Sequence, residues 1–209
     1  FAASSGGAIN YHEIRNLTIT TTGGVRVHKN VNLYNAIPND NLTYTVDVVN
    51  ETMTPITNLV LNDIIKDGLG NTTGNSVFEL TSITFNNNGN SGNTATGFVS
   101  GVPKTTGLTN PFSTTVNLDA MKTASFTVVG KIKTLPPGNS IVNTASLDVS
   151  GLNIIDADKT NNSASVQTTV FNSSVDLKIE KGVDNQGTAL ATGNVYTLLV
   201  SNLSSINKP

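Results

Sequence analysis

Apolar and polar residues alternate along most of the chain, and the 3.6-residue recurrence of an amphipathic helix is nearly absent. The alternation is clearest at 41–50, where Leu42, Tyr44, Val46 and Val48 fall on one face and Thr43, Thr45 and Asp47 on the other. Runs of this kind predict strands at 17–22, 24–31, 42–50, 56–65, 77–85, 112–118, 124–132, 140–149, 163–171, 175–181 and 194–202. Val, Ile, Thr, Phe and Tyr fill them, residues whose shapes suit a pleated, half-buried surface. Turn-forming clusters separate them: Pro38-Asn39-Asp40, Asp67-Gly68-Leu69-Gly70, 86–92, Pro136-Pro137-Gly138 and 156–162. Short strands joined by turns predict an all-β antiparallel sandwich, with room for one helical turn near 119–121.

The pattern also repeats. Shifting the chain by 152 residues lays Val25–Asn50 on Leu177–Asn202 without a gap. Lys29 then falls on Lys181, Val31 on Val183, Tyr44 on Tyr196, Thr45 on Thr197 and Asn50 on Asn202. Repetition over so long a period predicts tandem sandwich modules rather than a solenoid. The organisation expected is a tail at 1–16, a module at 17–171, and the first strands of a second module at 172–209.

Three stretches carry a family resemblance: VDLKIEKGVDNQGTALATGNVYTLLVSNLSS, NLVLNDIIKDGL, and the segment from GNSIVNTASLDVSG to DADKTNNSASVQTTV. In order along the first module they supply Lys29, Tyr44, Asn50, Asp63, Asn143, Ala145 and the run Asn161-Asn162-Ser163-Ala164. Over about 25–209 the chain resembles the prokaryotic cell-surface repeat called domain of unknown function 11. It departs from that pattern at 85–110, which reads as an insert, and at Ile64-Ile65-Lys66. The resemblance implies Ig-like β-sandwich modules of a large surface protein, an adhesin or structural stalk without catalytic action on an external substrate.

Composition narrows the classes. The 209 residues carry 12 Lys+Arg against 14 Asp+Glu, so there is no basic footprint for nucleic acid. There is no Cys, hence no disulfide framework and no thiolate metal site, and two His leave little material for a zinc centre or a catalytic triad. No apolar run is long enough to span a membrane. Asn (29) and Thr (30) exceed a quarter of the chain, a polar, β-rich composition that reads as extracellular. The start at Phe1, followed by small residues, is what a removed signal peptide or a fragment boundary leaves. No motif of a nucleophile elbow, metalloprotease or phosphate loop is present, and no enzyme activity or cofactor is expected.

The sharpest candidate chemistry is an internal Lys–Asn isopeptide bond. Lys29 shares the inward parity of Val25, Val27 and Val31, which aims its amine at the core. By resemblance its partners are Asp63 and Asn143, with Tyr44 or Phe126 as apolar surround. The reaction needs a neutral amine and a protonated acid, both of which burial favours. The alternative is a Lys29 whose head reaches the rim and an Asn143 bonded to backbone. Asp156 and Asp158 alternate as a weak Ca²⁺ candidate, against a turn that uses the same oxygens for its backbone. His12 and His28 read as surface residues. Glycosylation sequons begin at Asn16, Asn41, Asn50, Asn71, Asn161, Asn172 and Asn202.

A module cut after its first strands leaves an apolar half-core and open strand edges. The expected partners are copies of the same chain, joined head to tail by β-strand complementation into a cell-surface filament, with the tail at 1–16 as donor. The alternative is a stalk or ligand-binding fragment of a larger adhesin, its loops at 85–111 meeting host or matrix ligands.

Overall fold

The computed structural model describes residues 23–172, 177–183 and 195–202. The predicted strand at 17–22 and the tail at 1–16 lie outside these residues. Thirteen strands follow in order among the described residues: β1 Val25–Val31, β2 Asn35–Ala36, β3 Asn41–Asn50, β4 Ile56–Asp67, β5 Phe78–Asn86, β6 Thr94–Ala95, β7 Pro103–Lys104, β8 Phe112–Leu118, β9 Thr123–Ile132, β10 Ser140–Asp148, β11 Ser163–Val170, β12 Leu177–Val183 and β13 Tyr196–Asn202.

The first eleven form an Ig-like β-sandwich. One sheet runs β1-β3-β9-β5-β7 and the other β2-β11-β10-β4-β8-β6. Pairing is antiparallel throughout except where Asn35–Ala36 lies parallel to Thr169–Val170, the one departure from the antiparallel expectation. Alternation in the chain becomes alternation in burial: β1 is buried at every odd residue, and β9 at every even one from Ala124 to Ile132. The two inner faces meet in a core that includes Leu42, Tyr44, Val46, Leu59, Leu61, Ile65, Phe78, Ile83, Phe85, Phe126 and Ile141.

Two local devices set which residues of β4 and its neighbours face inward. A bulge between Ile56 and Leu59 inserts two exposed residues, Thr57 and Asn58, before alternation resumes. Asn58 takes the left-handed conformation (φ 59°) there, and its amide donates to Asn117 Oδ1 at 2.8 Å. After the bulge Leu59, Leu61, Asp63, Ile65 and Asp67 all point to the core. On the opposite sheet Gly130 lies under the Phe78 ring, and a Cβ there would stand 2.3 Å from it. That gap lets Phe78 turn its ring edge to Tyr44, centroids 6.4 Å apart.

The insert at 85–110 is built into the sandwich. Its β6 extends one sheet beside β8, and β7 extends the other beside β5. Asn110 fixes its far end, accepting from Ile65 N (2.9 Å) and donating to Ile65 O (2.7 Å) on β4. Phe98 packs edge-on against Phe112 and Phe126, both at 5.7 Å. The predicted helical turn near 119–121 is a hydrogen-bonded turn without helix.

The strands β12 and β13 pair with each other as an antiparallel two-stranded sheet. Their register is that of β1 and β3 moved by the repeat. Val25 faces Asn50 and Val31 faces Tyr44 in the first pair; Leu177 faces Asn202 and Val183 faces Tyr196 in the second.

Candidate functional site

Three polar side chains enter the core from different strands. Lys29 comes from β1 in one sheet, while Asp63 on β4 and Asn143 on β10 come from neighbouring strands of the other. Asp63 lies opposite Ala145 and Asn143 opposite Ile65, so the two polar residues are diagonal neighbours on one inner face. All three are buried, with relative exposures of 4%, 3% and 0%. Lys29 Nζ makes a short hydrogen bond and ion pair with Asp63 Oδ2 across the sandwich. The Asn143 carboxamide lies beside Asp63 closely enough to favour its ionised form, yet neither Nδ2 nor Oδ1 has a hydrogen bond of ordinary geometry. A buried carboxamide left unpaired costs free energy, so its presence in the core calls for an explanation.

The surround is apolar. The Tyr44 ring lies 5.4 Å from Lys29 Nζ, and its own hydroxyl is buried without a hydrogen-bond partner. Burial lowers the Lys29 pKa despite the pull of Asp63, and burial raises that of Asp63 despite the pull of Lys29. The same burial, with the negative charge of Asp63 adding to it, raises the Tyr44 pKa. Both shifts act in the direction of a neutral amine facing a neutral acid.

That arrangement can do one reaction with no added reagent. Lys29 would give its ammonium proton to Asp63, and the free amine would attack Cγ of Asn143, whose carbonyl the protonated acid polarises. A bond would form between Lys29 Nζ and Asn143 Cγ. The Cγ–Nδ2 bond would break, the nitrogen leaving as ammonia with the proton that the amine surrenders. Atoms and charges balance with Asp63 left protonated, and it regains its ionised state when that proton passes to the departing ammonia as ammonium.

The other sequence candidates fall elsewhere. Phe126 belongs to a separate aromatic cluster with Phe85, Phe98 and Phe112. Asp158 and Asp156 use their oxygens locally. Asp158 Oδ1 accepts from Thr160 N at 3.0 Å, and Thr160 holds its carboxyl below the usual range. Asp156 Oδ2 accepts from Asn162 Nδ2 at 2.7 Å. No cluster of three or more metal-ligating side chains occurs among the described residues. His28 is exposed on β1, and His12 lies outside the described residues.

Among the sequons, Asn50 is corrected. It is fully buried, donating to Thr54 O (2.9 Å) and Asp119 O (3.0 Å) and accepting from Thr52 N (2.9 Å), so the folded module hides it from any glycosylating enzyme. Asn41, Asn71 and Asn172 are exposed and Asn161 is half-buried. The Asn71 side chain bonds to the Asp67 carboxylate. Asn16 and the Asn202 side chain lie outside the described residues. Sequence reasoning missed the anchoring roles of Asn50 and Asn110. The Asn-Pro pair at 110–111 signals a turn but not the side-chain clamp onto β4.

No family model matches the chain, so the resemblance to domain of unknown function 11 rests on its motifs alone. No curated protein matches it either. Among solved structures it is similar to the CARDB domain of the PF1109 protein from Pyrococcus furiosus, at 13% identity and a TM-score of 0.44, covering 78% of this chain and 100% of that one. It is also similar to the collagen-binding domain from a Staphylococcus aureus adhesin (13% identity, TM-score 0.37, 73% of this chain and 99% of that one). BcpA, the major pilin subunit of Bacillus cereus, matches at 13% identity and a TM-score of 0.32, over 86% of this chain and 55% of that one. Likenesses this distant bear on neither family nor function.

Proposed function

We propose that the chain is a structural module of an extracellular surface protein, whose two sheets are stapled by an amide bond between Lys29 and Asn143 with Asp63 as the proton shuttle. One observation carries this reading: a buried Lys–Asp pair meets an unpaired buried carboxamide at the junction of the two sheets. A noncovalent role explains the ion pair and the nearness of the carboxamide to Asp63, but leaves that buried carboxamide without a hydrogen bond of ordinary geometry. A staple explains all three residues. It also supplies what a cysteine-free chain lacks, a covalent tie between distant strands.

By analogy with a disulfide closing a loop of ~100 residues, such a tie lowers the entropy of the unfolded chain by an amount worth about 4–5 kcal/mol. A module held this way suits a stalk or fibre under tension, where resistance to unfolding is the function. No helix among the described residues is long and apolar enough to cross a membrane.

The test is the intact mass of the purified chain. The staple predicts a deficit of one ammonia, abolished in Lys29→Arg, Asp63→Asn and Asn143→Ala. A full-mass wild-type chain would end the reading. Assembly into head-to-tail filaments by strand addition is the finer proposal, supported by the open edges and exposed face of β12–β13. Filaments of the purified chain in negative stain would support it, and monodisperse monomers would remove it.

A further inference from the structure

Three polar side-chain atoms of the core have no hydrogen-bond partner among the described residues: Tyr44 Oη, and both Nδ2 and Oδ1 of the Asn143 carboxamide. The other two that are buried and unpaired, the Oδ1 atoms of Asn161 and Asn162, sit in the turn at 159–162. Unpaired polarity in the core therefore gathers at one place, around Lys29 and Asp63.

Tyr44 faces Val31 on β1 and Lys29 faces Val46 on β3, so tyrosine and lysine are diagonal neighbours on one inner face. Both point toward the sheet that carries Asp63 and Asn143. Packed sheets stand about 10 Å apart, and an inward tyrosine spans most of that gap. Its hydroxyl ends against the inner surface that Asp63 and Asn143 share, within reach of the Asp63 charge.

A phenylalanine would fill such a core position without stranding a hydroxyl away from water. The repeat nonetheless keeps Lys181 and Tyr196 at the stations of Lys29 and Tyr44, while Val27 becomes Ile179 and Val46 becomes Leu198. In the second pair the ammonium again stands over the ring, at 4.4 Å against 5.4 Å in the first. Lysine and phenol recur together where their aliphatic neighbours change.

A donor idle in the resting state has a use where its acceptor exists only during a reaction. Attack of the Lys29 amine on Asn143 Cγ makes the flat carboxamide tetrahedral and places negative charge on Oδ1. Protonated Asp63 supplies one donor to that oxygen. We infer that the Tyr44 hydroxyl is the second, hydrogen-bonding Asn143 Oδ1 as it becomes an oxyanion, a role that rests on the reading of Lys29 as a staple amine. A phenol beside a carboxylic acid kept neutral by burial is a donor pair suited to such an oxygen. Burial raises the Tyr44 pKa, so the hydroxyl keeps its proton and remains a donor throughout. A bond made only in the tetrahedral state speeds the reaction without stabilising the ground state. When the C=O double bond re-forms, the charge leaves Oδ1, the Cγ–Nδ2 bond breaks and ammonia departs, with no proton taken from Tyr44.

The test times the loss of ammonia. The full chain is translated in a cell-free system with a short pulse of isotope-labelled amino acid, quenched in denaturant at intervals and weighed intact. Tyr44→Phe, which removes only the hydroxyl, is expected to slow the mass loss by about 100-fold. In an Asn143→Ala background, where no amide can form, Tyr44→Phe is expected to leave the melting temperature unchanged or higher, because a buried unpaired hydroxyl is gone. Slowing without loss of melting temperature supports the donor. A wild-type rate in Tyr44→Phe overturns the inference and leaves the reading of Lys29 standing. Slowing accompanied by a lower melting temperature also overturns it, assigning the hydroxyl to packing. If the wild type loses no ammonia at all, the reading of Lys29 falls and the role of Tyr44 falls with it.

Discussion

Lys29 and Asp63 meet from opposite sheets, as an ion pair sealed from water in the middle of the sandwich. Such a pair is costly to form, because two ions lose their hydration, and costlier to break, because the survivor stays buried and unpaired. In an Asn143→Ala background, where no amide can form, Asp63→Leu is therefore expected to lower the stability of the module by about 3–5 kcal/mol. The double substitution Lys29→Met with Asp63→Leu, which removes both charges, is expected to recover most of that loss. Urea unfolding of that background, of Lys29→Met and Asp63→Leu each within it, and of the two together closes the cycle. Equal stability of Lys29→Met and the double variant would show that Asp63 alone costs nothing.

The same pair sets a pH dependence. In Lys29→Met the Asp63 carboxyl loses the charge and the hydrogen bond that most lowered its pKa, and burial, the largest influence, raises it against the remaining pull of Asn143. With the folded pKa above the unfolded one, the folded state holds the proton longer as pH rises. The contribution of Asp63 is then fully present below its unfolded pKa of about 3.9 and is lost as pH rises through the folded value. Lys29→Met is expected to gain stability, relative to Lys29→Met/Asp63→Leu, as pH falls from neutral toward that value. The difference between their urea midpoints cancels the carboxylates common to both, such as Asp158, whose lowered pKa works in the opposite sense. A flat difference would place Asp63 in a solvated site.

Much of this was legible in the chain. Parity placed Lys29 inward because β1 is a short, regular strand with no bulge, and its seven residues alternate without exception. Asp63 is a different case. Its inward parity holds with Leu59 and Leu61, but the bulge at Thr57–Asn58 breaks the count from Ile56, so the start of the strand alone would misplace it. That Asp63 and Asn143 are diagonal neighbours depends on the pairing of β4 with β10, two strands separated by the five from β5 to β9, and no local pattern encodes it. The strands β2, β6 and β7 were invisible for a simpler reason. At two residues each they have no period to read, and exist only because a neighbouring edge offers partners.

Gly130 is expected to resist any side chain. A Cβ would stand 2.3 Å from the Phe78 ring and 2.9 Å from Glu79 O, so either the ring or the strand must shift. Gly130→Ala should cost about 1–3 kcal/mol by overpacking. Because Phe78 turns its edge to Tyr44, the ring beside Lys29, displacement of Phe78 also disturbs the surround of the amine. Phe78→Leu in the Gly130→Ala background is expected to restore part of the loss. Thermal melting of the three variants reads the coupling, and additive losses would separate the two residues.

The loop at 156–162 is expected to ignore calcium. Asp158 accepts from the Thr160 and Asn161 side chains and from Thr160 N, and Asp156 accepts from Asn162, so both carboxylates are engaged by groups of their own turn. A cation would have to displace these donors. The melting temperature should be the same in chelator and in millimolar Ca²⁺, and an upward shift with Ca²⁺ that Asp158→Ala removes would restore the metal reading.

Asn50 gives the most direct check on burial, because it is a sequon by sequence and a core anchor by structure. Its side chain ties the β3–β4 turn to the end of β8, through Thr52 and Thr54 on one side and Leu118 and Asp119 on the other. Replacement by Ala would leave buried backbone carbonyls and the Thr52 amide without these partners, at a cost of about 2–3 kcal/mol. Expression in a glycosylating host separates the two roles of this residue. Glycan is expected at exposed Asn41 or Asn172 and none at Asn50 in folded, secreted protein, because attachment there would require the turn to open. Glycopeptide mapping that finds Asn50 occupied in folded protein would mean that this turn is not closed as the structure draws it.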